Sequence, residues 1–329
     1  MDITRLDPDD AAGCAEAVAL LTATHKVDCP AAVVSTPLGY QAHLTHGWDG
    51  DPGRVYLARD ERGSVVGLLD FFAPNYDNLN LAWIEVEVHP DHRGQGLEDE
   101  LIQYAEQLAL GLDRHVLGIA AWDLPEKDEL IRRHGFEQKA VEVNRRQDIA
   151  NLDWATVQKL YDEAVLAAAD YEVLRIVGAV PEDLLEGMVA VTASINDAPK
   201  DDLDMEDDAI TPERIRNYEK SRAAHNETLY LVIARHRSTG EPAGHTVVAV
   251  ERERPHIGHQ NDTAVSRDHR GHRLGALVKT AMLLWLREAE PALTQIDTWN
   301  DESNNHMNGI NEQMGYFIVG RGIDYQKTI

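Results

Sequence analysis

The sequence predicts an α/β protein in which one fold occurs twice along the chain. An alternating apolar strand, a Gly-rich turn and a helical segment meet at Val88–Glu98, and the same arrangement recurs at Val265–Gly275. The flanks match as well, because Gly67 in the preceding strand has a counterpart in Gly244 at the same offset. A duplicated motif with matched flanks is stronger evidence of a repeated fold than a single motif.

Each copy shows the same order of elements. The first copy opens with a predicted strand near residues 3–6 and a helix over 11–23, and it closes with an alternating strand around 136–145. In both copies the last helix ends before a Gly-aromatic pair, Gly135-Phe136 or Gly315-Tyr316. Hairpin, strand, turn, helix, strand, helix and strand therefore occur twice in the same order.

An Asn/Asp-rich break at residues 151–153 predicts a domain boundary near residue 150, giving domains 1–150 and 151–329. The second domain then begins with a helix over 154–169 and a strand over 171–177. Residues 196–208 carry seven acids against one lysine, which predicts a loop.

The composition limits the classes of partner. The formal net charge of −26 disfavours nucleic acid and anionic membranes, since both require a basic surface, and it permits a cationic substrate. No apolar run reaches the length of a membrane helix and no basic leader opens the chain, so we expect a cytoplasmic protein. The two cysteines offer no metal-binding spacing, and no metal is expected.

The repeated turn has a chemistry of its own. A strand followed by a Gly-rich turn and a helix N-terminus presents several unpaired backbone N–H groups at one point, which suits a phosphate. In sequence the two turns read Arg93-Gly-Gln-Gly-Leu-Glu98 and Arg270-Gly-His-Arg-Leu-Gly275.

These residues resemble the GNAT superfamily of N-acetyltransferases, whose acyl-CoA signature is Gln/Arg-x-x-Gly-x-Gly/Ala. Asn304, eleven residues before Gly315-Tyr316, resembles a second family marker. The tandem arrangement is similar to that of actinobacterial two-domain acetyltransferases, the group of mycothiol synthase. The resemblance implies two tandem folds, each with a mixed, mostly antiparallel sheet flanked by helices.

Departures from the signature differ between the copies. In the second copy Arg273 replaces the middle glycine, and the backbone N–H survives if its angles suit a non-glycine residue. In the first copy the last position is Glu98, followed by two more acids, and Leu124 stands where the Asn marker belongs. Three carboxylates at a helix start repel a pyrophosphate. We therefore expect the first domain to be degenerate and the second to bind acyl-CoA and carry catalysis.

The resemblance also implies roles for individual residues. The backbone N–H of Val265 polarises the thioester carbonyl, Asn304 bonds the pantetheine arm, and Asp262 is the candidate base. The phosphate cradle comprises Arg270, Gly271, His272, Arg273, Leu274 and Gly275.

Alternatives remain open for proton transfer. His259, Gln260 and Glu251 lie near Asp262 and could replace it as the base. Asn311 stands at the position of the family's acid Tyr, where its amide could bond a thiolate sulfur. Tyr316 and Tyr325 are further candidates for the acid. His269, by contrast, is expected to pack under the turn.

The implied activity is transfer of an acetyl group from acetyl-CoA to a primary amine of a cationic small molecule. The acidic loop 196–208 would form a lip of the acceptor site. The alternatives are a non-catalytic acyl-CoA-binding or scaffold protein, and a transferase that acts on a hydroxyl or uses another acyl group.

Overall fold

A computed structural model describes residues 2–329, and its contacts group them into two compact units. The first unit comprises the chain up to Asn144 together with Lys200–Asp207 and Val319–Ile329, and the second comprises Arg145–Pro199 and Asp208–Ile318. The units are thus not continuous in sequence. The domain boundary at residue 150 remains a prediction.

The first unit contains one sheet with helices on both faces. Its strands follow the order β1-β2-β3-β4-β5-β12, and neighbouring strands pair antiparallel except β4 and β5, which are parallel. Its elements are β1 (Asp2–Arg5), α1 (Ala11–Asp28), α2 (Pro37–His46), β2 (Arg54–Arg59), β3 (Val65–Phe72), β4 (Leu81–Val88), α3 (Leu97–Gly111), β5 (Val116–Trp122), α4 (Pro125–Arg133), β6 (Glu137–Asp148, shared with the second unit) and the greater part of β12 (Tyr316–Thr328).

Two apolar clusters hold this sheet. The buried face of α3, with Leu97, Leu101 and Ile102, packs against inward residues of β2 to β5. On the opposite face, residues of α1 and α2 such as Leu20 and Leu44 pack against the same strands. Apolar residues at positions i, i+4 and i+5 of α3 form the stripe that the sheet covers.

The second unit repeats this arrangement. Its strands follow the order β6-β11-β10-β9-β8-β7, and the pairing of β10 with β11 is parallel. Its remaining elements are α5 (Trp154–Ala167), β7 (Tyr171–Val177), α6 (Glu182–Thr192), α7 (Pro212–Ala224), β8 (Glu227–His236), β9 (Pro242–Glu251), β10 (Ile257–Val265), α8 (Leu274–Ala289), β11 (Gln295–Asp301) and α9 (Asn305–Gln313). The helices α5 and α8 cover one face and α6 covers the other.

Two late segments of the chain complete the first unit. The C-terminal part of β12 pairs with β5 from Gly322↔Trp122 to Thr328↔Val116. The loop segment Lys200–Asp207 is held there by bonds from the Asp204 N–H to the Gln326 side chain (2.8 Å) and from the Glu206 N–H to the Asn78 side chain (2.7 Å).

The predicted mixed α/β fold in two tandem copies is confirmed, and the elements fall where the periodicity placed them. The helix predicted to end at residue 23 continues to Asp28, because residues 24–28 keep helical spacing with Thr24 buried. No helix among residues 2–329 has the length and apolarity needed to cross a membrane.

Prediction for the first unit: Tyr325→Ala should lower its free energy of unfolding by roughly 3–5 kcal/mol, because Tyr325 is a fully buried core residue. Urea unfolding with amide hydrogen exchange read at residues 116–122 measures the effect. Tyr325→Phe is the control. It removes only the hydroxyl's bond to Asp128 (2.8 Å) and should cost about 1 kcal/mol. Unchanged exchange at residues 116–122 in Tyr325→Ala would contradict the assignment of this strand to the first unit.

Candidate functional site

A gap opens between two parallel strands of the second unit. Strand β10 pairs with β11 from Ile257↔Gln295 to His259↔Asp297. Beyond that point β10 stays paired with β9, with a register shift between Gln260 and Thr263. In the first unit the pairing of β4 with β5 likewise ends at Ile84↔Ile119.

Val265 directs its backbone N–H toward this gap. The Ser266 N–H donates to the Ala243 carbonyl (2.9 Å), so Ser266 and Ala243 form a hydrogen-bonded pair of the ladder. Bonded and non-bonded pairs alternate in an antiparallel ladder, and Val265 opposite Gly244 is therefore a non-bonded pair. Its N–H points away from β9, which is the geometry needed to polarise a carbonyl group lying in the gap.

The turn after Val265 leaves a run of backbone donors open. Within residues 2–329, no acceptor is bonded to the N–H groups of Gly271 to Gly275. Gly271 has φ +87°, a conformation that favours glycine. Leu274 is 2% exposed and packs into the core, so it anchors the first turn of α8 beneath these donors. The turn can bind an anion through several N–H groups at once.

Two arginines and one aspartate hold the turn in place. Arg270 Nε donates to the Val265 carbonyl (3.2 Å), and its Nη2 donates to Asp197 Oδ2 (2.6 Å). Arg267 also donates to Asp197, and the hydrogen bonds from Arg267 and Arg270 lower the pKa of that carboxyl. The side chain of Arg270 therefore closes the turn.

Arg273 adopts the conformation that the signature glycine normally supplies. Its φ of 56° and ψ of 25° lie in the left-handed region, as does Gly96 at the matching position of the first copy. That region costs an L-residue about 1–2 kcal/mol. The backbone angles at position 273 are thus ones that a non-glycine residue can adopt, and the Arg273 N–H is retained in the turn.

In the first copy the matching donor is already occupied. Glu98 Oε1 accepts a hydrogen bond from the Gly94 N–H (3.2 Å), and Glu98 stands where the second copy has Gly275. The neighbouring Asp99 accepts bonds from Arg133 and His134 (both 2.7 Å). A carboxylate of the chain itself thus lies where a phosphate would bind.

A cavity of about 270 Å³ nevertheless remains in the first unit, between the parting strands and the helices α3 and α4. Its lining includes Ile102 and Ile131. It also includes Lys127, which bonds Glu87 Oε1 (2.9 Å) and the buried Asp28 (3.0 Å). An ion-pair network of this kind leaves the first cleft charged in its interior.

Two asparagines are proposed for the second cleft. Asn304 lies at the start of helix α9, and Asn311 lies within that helix. Asn304 is the N-cap of α9 and accepts from the Met307 N–H (3.2 Å), and its Nδ2 makes no hydrogen bond among residues 2–329. Asn311 is fully buried, and its Nδ2 donates to Asn300 Oδ1 (2.8 Å). One amide hydrogen of Asn311 remains for any contact with a thiolate.

The candidate bases differ in their bonding. Glu251 accepts from His259 (2.8 Å) and from Arg254, and these bonds outweigh its burial and lower its pKa. Gln260 is buried and donates to Thr246 and to the Val247 carbonyl, which makes it a structural residue. Asp262 is half-buried beside the register shift.

Asp262 also acts on a neighbour. Burial and the charge of Asp262 raise the pKa of Tyr218, whose hydroxyl accepts a hydrogen bond from Asn261 (2.6 Å). The carboxylate thus lies close to Tyr218 on α7.

The contacts of three other candidate residues are as follows. His269 packs under the turn as predicted, with its Nδ1 2.8 Å from the Tyr171 hydroxyl. Tyr325 belongs to the first unit and bonds Asp128, so it is removed from the candidate acids of the second cleft. Tyr316 is buried in the second unit, and burial together with Asp297 raises its pKa.

The acidic loop is not a continuous free lip. Asp197 is engaged by Arg267 and Arg270, and Lys200–Asp207 lies in the first unit. Within that segment Asp207 pairs with Lys200 (2.6 Å). The charge of the segment was visible in the sequence, whereas its partners depend on the fold.

Sequence reasoning missed a buried lysine of the second unit, Lys279. It lies on α8 with 2% of its surface exposed, and burial lowers its pKa to about 7. It occupies the position of Ile102 in the first copy. Comparing the two copies position by position beyond the turn would have revealed it.

Comparison with known proteins agrees with this geometry. Residues 51–138 match an acetyltransferase (GNAT) domain, and residues 193–316 match the acetyltransferase (GNAT) family. The two matches together cover more than half of the chain. The chain therefore belongs to the GNAT acetyltransferase family and carries two GNAT domains in tandem.

Individual relatives are more distant. A mycothiol acetyltransferase of Geodermatophilus obscurus is 34% identical over 154 residues, which is 46% of this chain and 46% of the relative. One of Stackebrandtia nassauensis is 29% identical over 146 residues, 44% of this chain and 46% of the relative. The match thus spans about half the length of these curated relatives.

A solved structure shares the whole fold. A tandem GNAT protein from the clavulanic acid biosynthesis pathway has a TM-score of 0.82 at 22% identity, covering 99% of this chain and 98% of that one. At this identity the likeness concerns the fold.

Prediction for Lys279: Lys279→Met should stabilise the second unit at pH 7, and the gain should shrink as the pH rises toward 10. The pKa of Lys279 is about 7 in the folded chain and ordinarily about 10.4 when unfolded, so between these values the unfolded state binds the extra proton. The stability difference should fall by up to about 1.4 kcal/mol per pH unit across that window. Urea unfolding of both proteins at pH 7, 8 and 9 measures it. A difference independent of pH would show that Lys279 is charged when folded.

Proposed function

We propose that this chain transfers an acetyl group from acetyl-CoA to a primary amine of a small molecule, and that its working site lies in the second unit. The observation that carries the proposal is the open N–H of Gly271. Its counterpart at Gly94 is bonded to Glu98, whereas Gly275 at the matching position has no side chain to offer. The names of the curated relatives support the acetyl-transfer chemistry.

The donor would bind across the elements described above. The pyrophosphate would accept from the N–H groups of residues 271–275 at the start of α8, and the pantetheine arm would lie in the gap between β10 and β11 near Asn304. The Val265 N–H would bond the thioester oxygen, whose negative charge grows in the transition state. One such donor is typically worth about 3–4 kcal/mol.

The reaction then needs one proton removed. Near neutral pH the acceptor is mostly an ammonium, and Asp262, close to the parting strands, would take its proton directly or through water. The free amine attacks the thioester carbon, the C–S bond breaks and CoA leaves as a thiolate. The proton still on the attacking nitrogen then passes to that thiolate, so that the products are the amide and the CoA thiol. A thiol pKa of about 8.5 makes that departure feasible without a strong acid, which fits Asn311 in place of a tyrosine.

We further propose that the acceptor amine belongs to a molecule with a net positive charge. The support for this proposal is the chain's net charge of −26 together with the half-buried carboxylate of Asp262 in the second unit. The acidic loop contributes less than expected, since Asp197 is paired with two arginines.

A non-catalytic acyl-CoA-binding protein is the second candidate. The observation that favours it is Asn311, which replaces an acid and is fully buried against Asn300. Turnover distinguishes the two, because both would bind CoA.

Prediction for the working site: Gly275→Glu should weaken CoA binding on the order of 100-fold and abolish CoA release from acetyl-CoA over a panel of amines. Its carboxylate would reach the Gly271 N–H as Glu98 reaches Gly94, and like charges about 4 Å apart repel by several kcal/mol. Calorimetric titration with CoA and a thiol-release assay measure the two effects.

Matched variants separate the effect of the introduced carboxylate from that of side-chain size. Gly275→Gln should fold and lose much less affinity, since a β-carbon at Gly275 meets only Ile310 at 3.5 Å. Glu98→Gly should leave turnover unchanged. Turnover that survives Gly275→Glu but depends on residue 98 would place the working site in the first unit. Tight CoA binding without turnover on any amine would favour the second candidate.

Prediction for the acceptor: KM for a polyamine or aminosugar should rise when salt is increased from about 0.05 to 0.5 M, because screening shortens the reach of the protein's negative field. A neutral hydroxylamine of similar size serves as the control and should show little change. A salt-independent KM for the cation, or faster turnover of anionic acceptors, would contradict a cationic substrate.

A further inference from the structure

Two buried polar side chains distinguish the second cleft from the first. Ile102 and Ile131 both line the cavity of the first unit. By the repeat, Lys279 occupies the position of Ile102, and Asn311 occupies that of Ile131, four residues before the Gly-aromatic pair. The second copy thus has a polar residue at each of two positions whose counterparts line the apolar part of the first cavity.

Lys279 has no anionic partner. No carboxylate among residues 2–329 forms an ion pair with its amine, and Nζ lies 5.5 Å from the centroid of the Tyr316 ring. Asp297, whose charge helps to raise the pKa of Tyr316, is held by two bonds from Arg146 (both 2.7 Å). The amine therefore retains its capacity to donate to a ligand.

Asn311 is half-satisfied. Its Nδ2 bonds Asn300, but its Oδ1 is buried without a hydrogen-bond partner among the residues described. Lys279 thus offers an unused donor, and Asn311 offers an unused acceptor beside its one remaining amide hydrogen.

Such groups are costly unless a ligand uses them. An unpaired polar group in the interior loses its hydration and destabilises the fold, and the cost is larger for an amine that can carry charge. The first copy shows that isoleucine is accommodated at both positions. Retaining lysine and asparagine in the second copy is explained if both side chains bind something that enters the cleft.

We propose that Lys279 and Asn311 bind a secondary amide of the pantetheine arm of the acyl donor. Such an amide carries a carbonyl oxygen to accept from Lys279 Nζ and an N–H to donate to Asn311 Oδ1, which matches the unused pair. This inference rests on the proposed function, since it assumes that the second unit binds acyl-CoA. It makes Lys279 and Asn311 donor-positioning residues and leaves the reaction itself unchanged.

The test separates affinity from stability. Calorimetric titration of the full chain with CoA, and with pantetheine as a probe that lacks all phosphates, is compared for wild type, Lys279→Met and Asn311→Leu. We expect about tenfold weaker binding of both ligands by Lys279→Met and a somewhat smaller loss in Asn311→Leu. We also expect a higher melting temperature for Lys279→Met, because a buried amine is removed. Ile102→Met, the matched change in the first unit, should leave both affinities unchanged.

Each contrary result has a distinct meaning. If wild type fails to bind CoA, the proposed function itself fails. If wild type binds and Lys279→Met binds equally tightly, only the present inference is overturned. A loss seen with CoA but not with pantetheine would also overturn it, because Lys279 would then be recognising phosphate. A purely structural lysine would lower the melting temperature when replaced and leave affinity unaltered.

Discussion

The unpaired backbone donors at the start of α8 are the constraint on which the second unit depends. A helix begins with N–H groups that have no internal acceptor, and here they follow a strand that has just left its parallel neighbour. The turn stays open only because other groups hold it: Leu274 below, and Arg270 through the Val265 carbonyl. The same arginine-to-carbonyl bond occurs in the first unit, from Arg93 to Val88 (3.0 Å). The scaffold of the turn is therefore retained in both copies.

What separates the copies is the side chain one turn further on. Glu98 bonds its own turn, and Gly275 cannot. The difference extends beyond the turn, where the first copy has an ion-pair network around Lys127 and the second has the buried side chains of Lys279 and Asn311. The two copies thus share one architecture but differ in their buried polar groups. In the first copy Lys127 is paired with carboxylates, whereas in the second Lys279 and Asn311 keep unused hydrogen-bonding groups.

The first unit also contains two segments from later in the chain. The last strand of the polypeptide pairs with β5, and the acidic segment Lys200–Asp207 is bonded to Asn78 and Gln326. The first unit therefore depends on residues from the end of the chain. A function assigned to an acidic loop from its charge alone overlooks such partners, because carboxylates that are already paired attract ligands weakly.

The sequence by itself determined the repeated fold, the position of both turns and the difference between Glu98 and Gly275 at their ends. These are local features, set by periodicity, glycine placement and helix-start chemistry over a few residues. Only the tertiary structure decided that Asp197 binds Arg267 and Arg270, that Tyr325 lies in the first unit and that Lys279 is buried without a carboxylate. These facts depend on which segments meet in space, and hydrogen bonding and burial between distant segments leave no periodic signal in the chain.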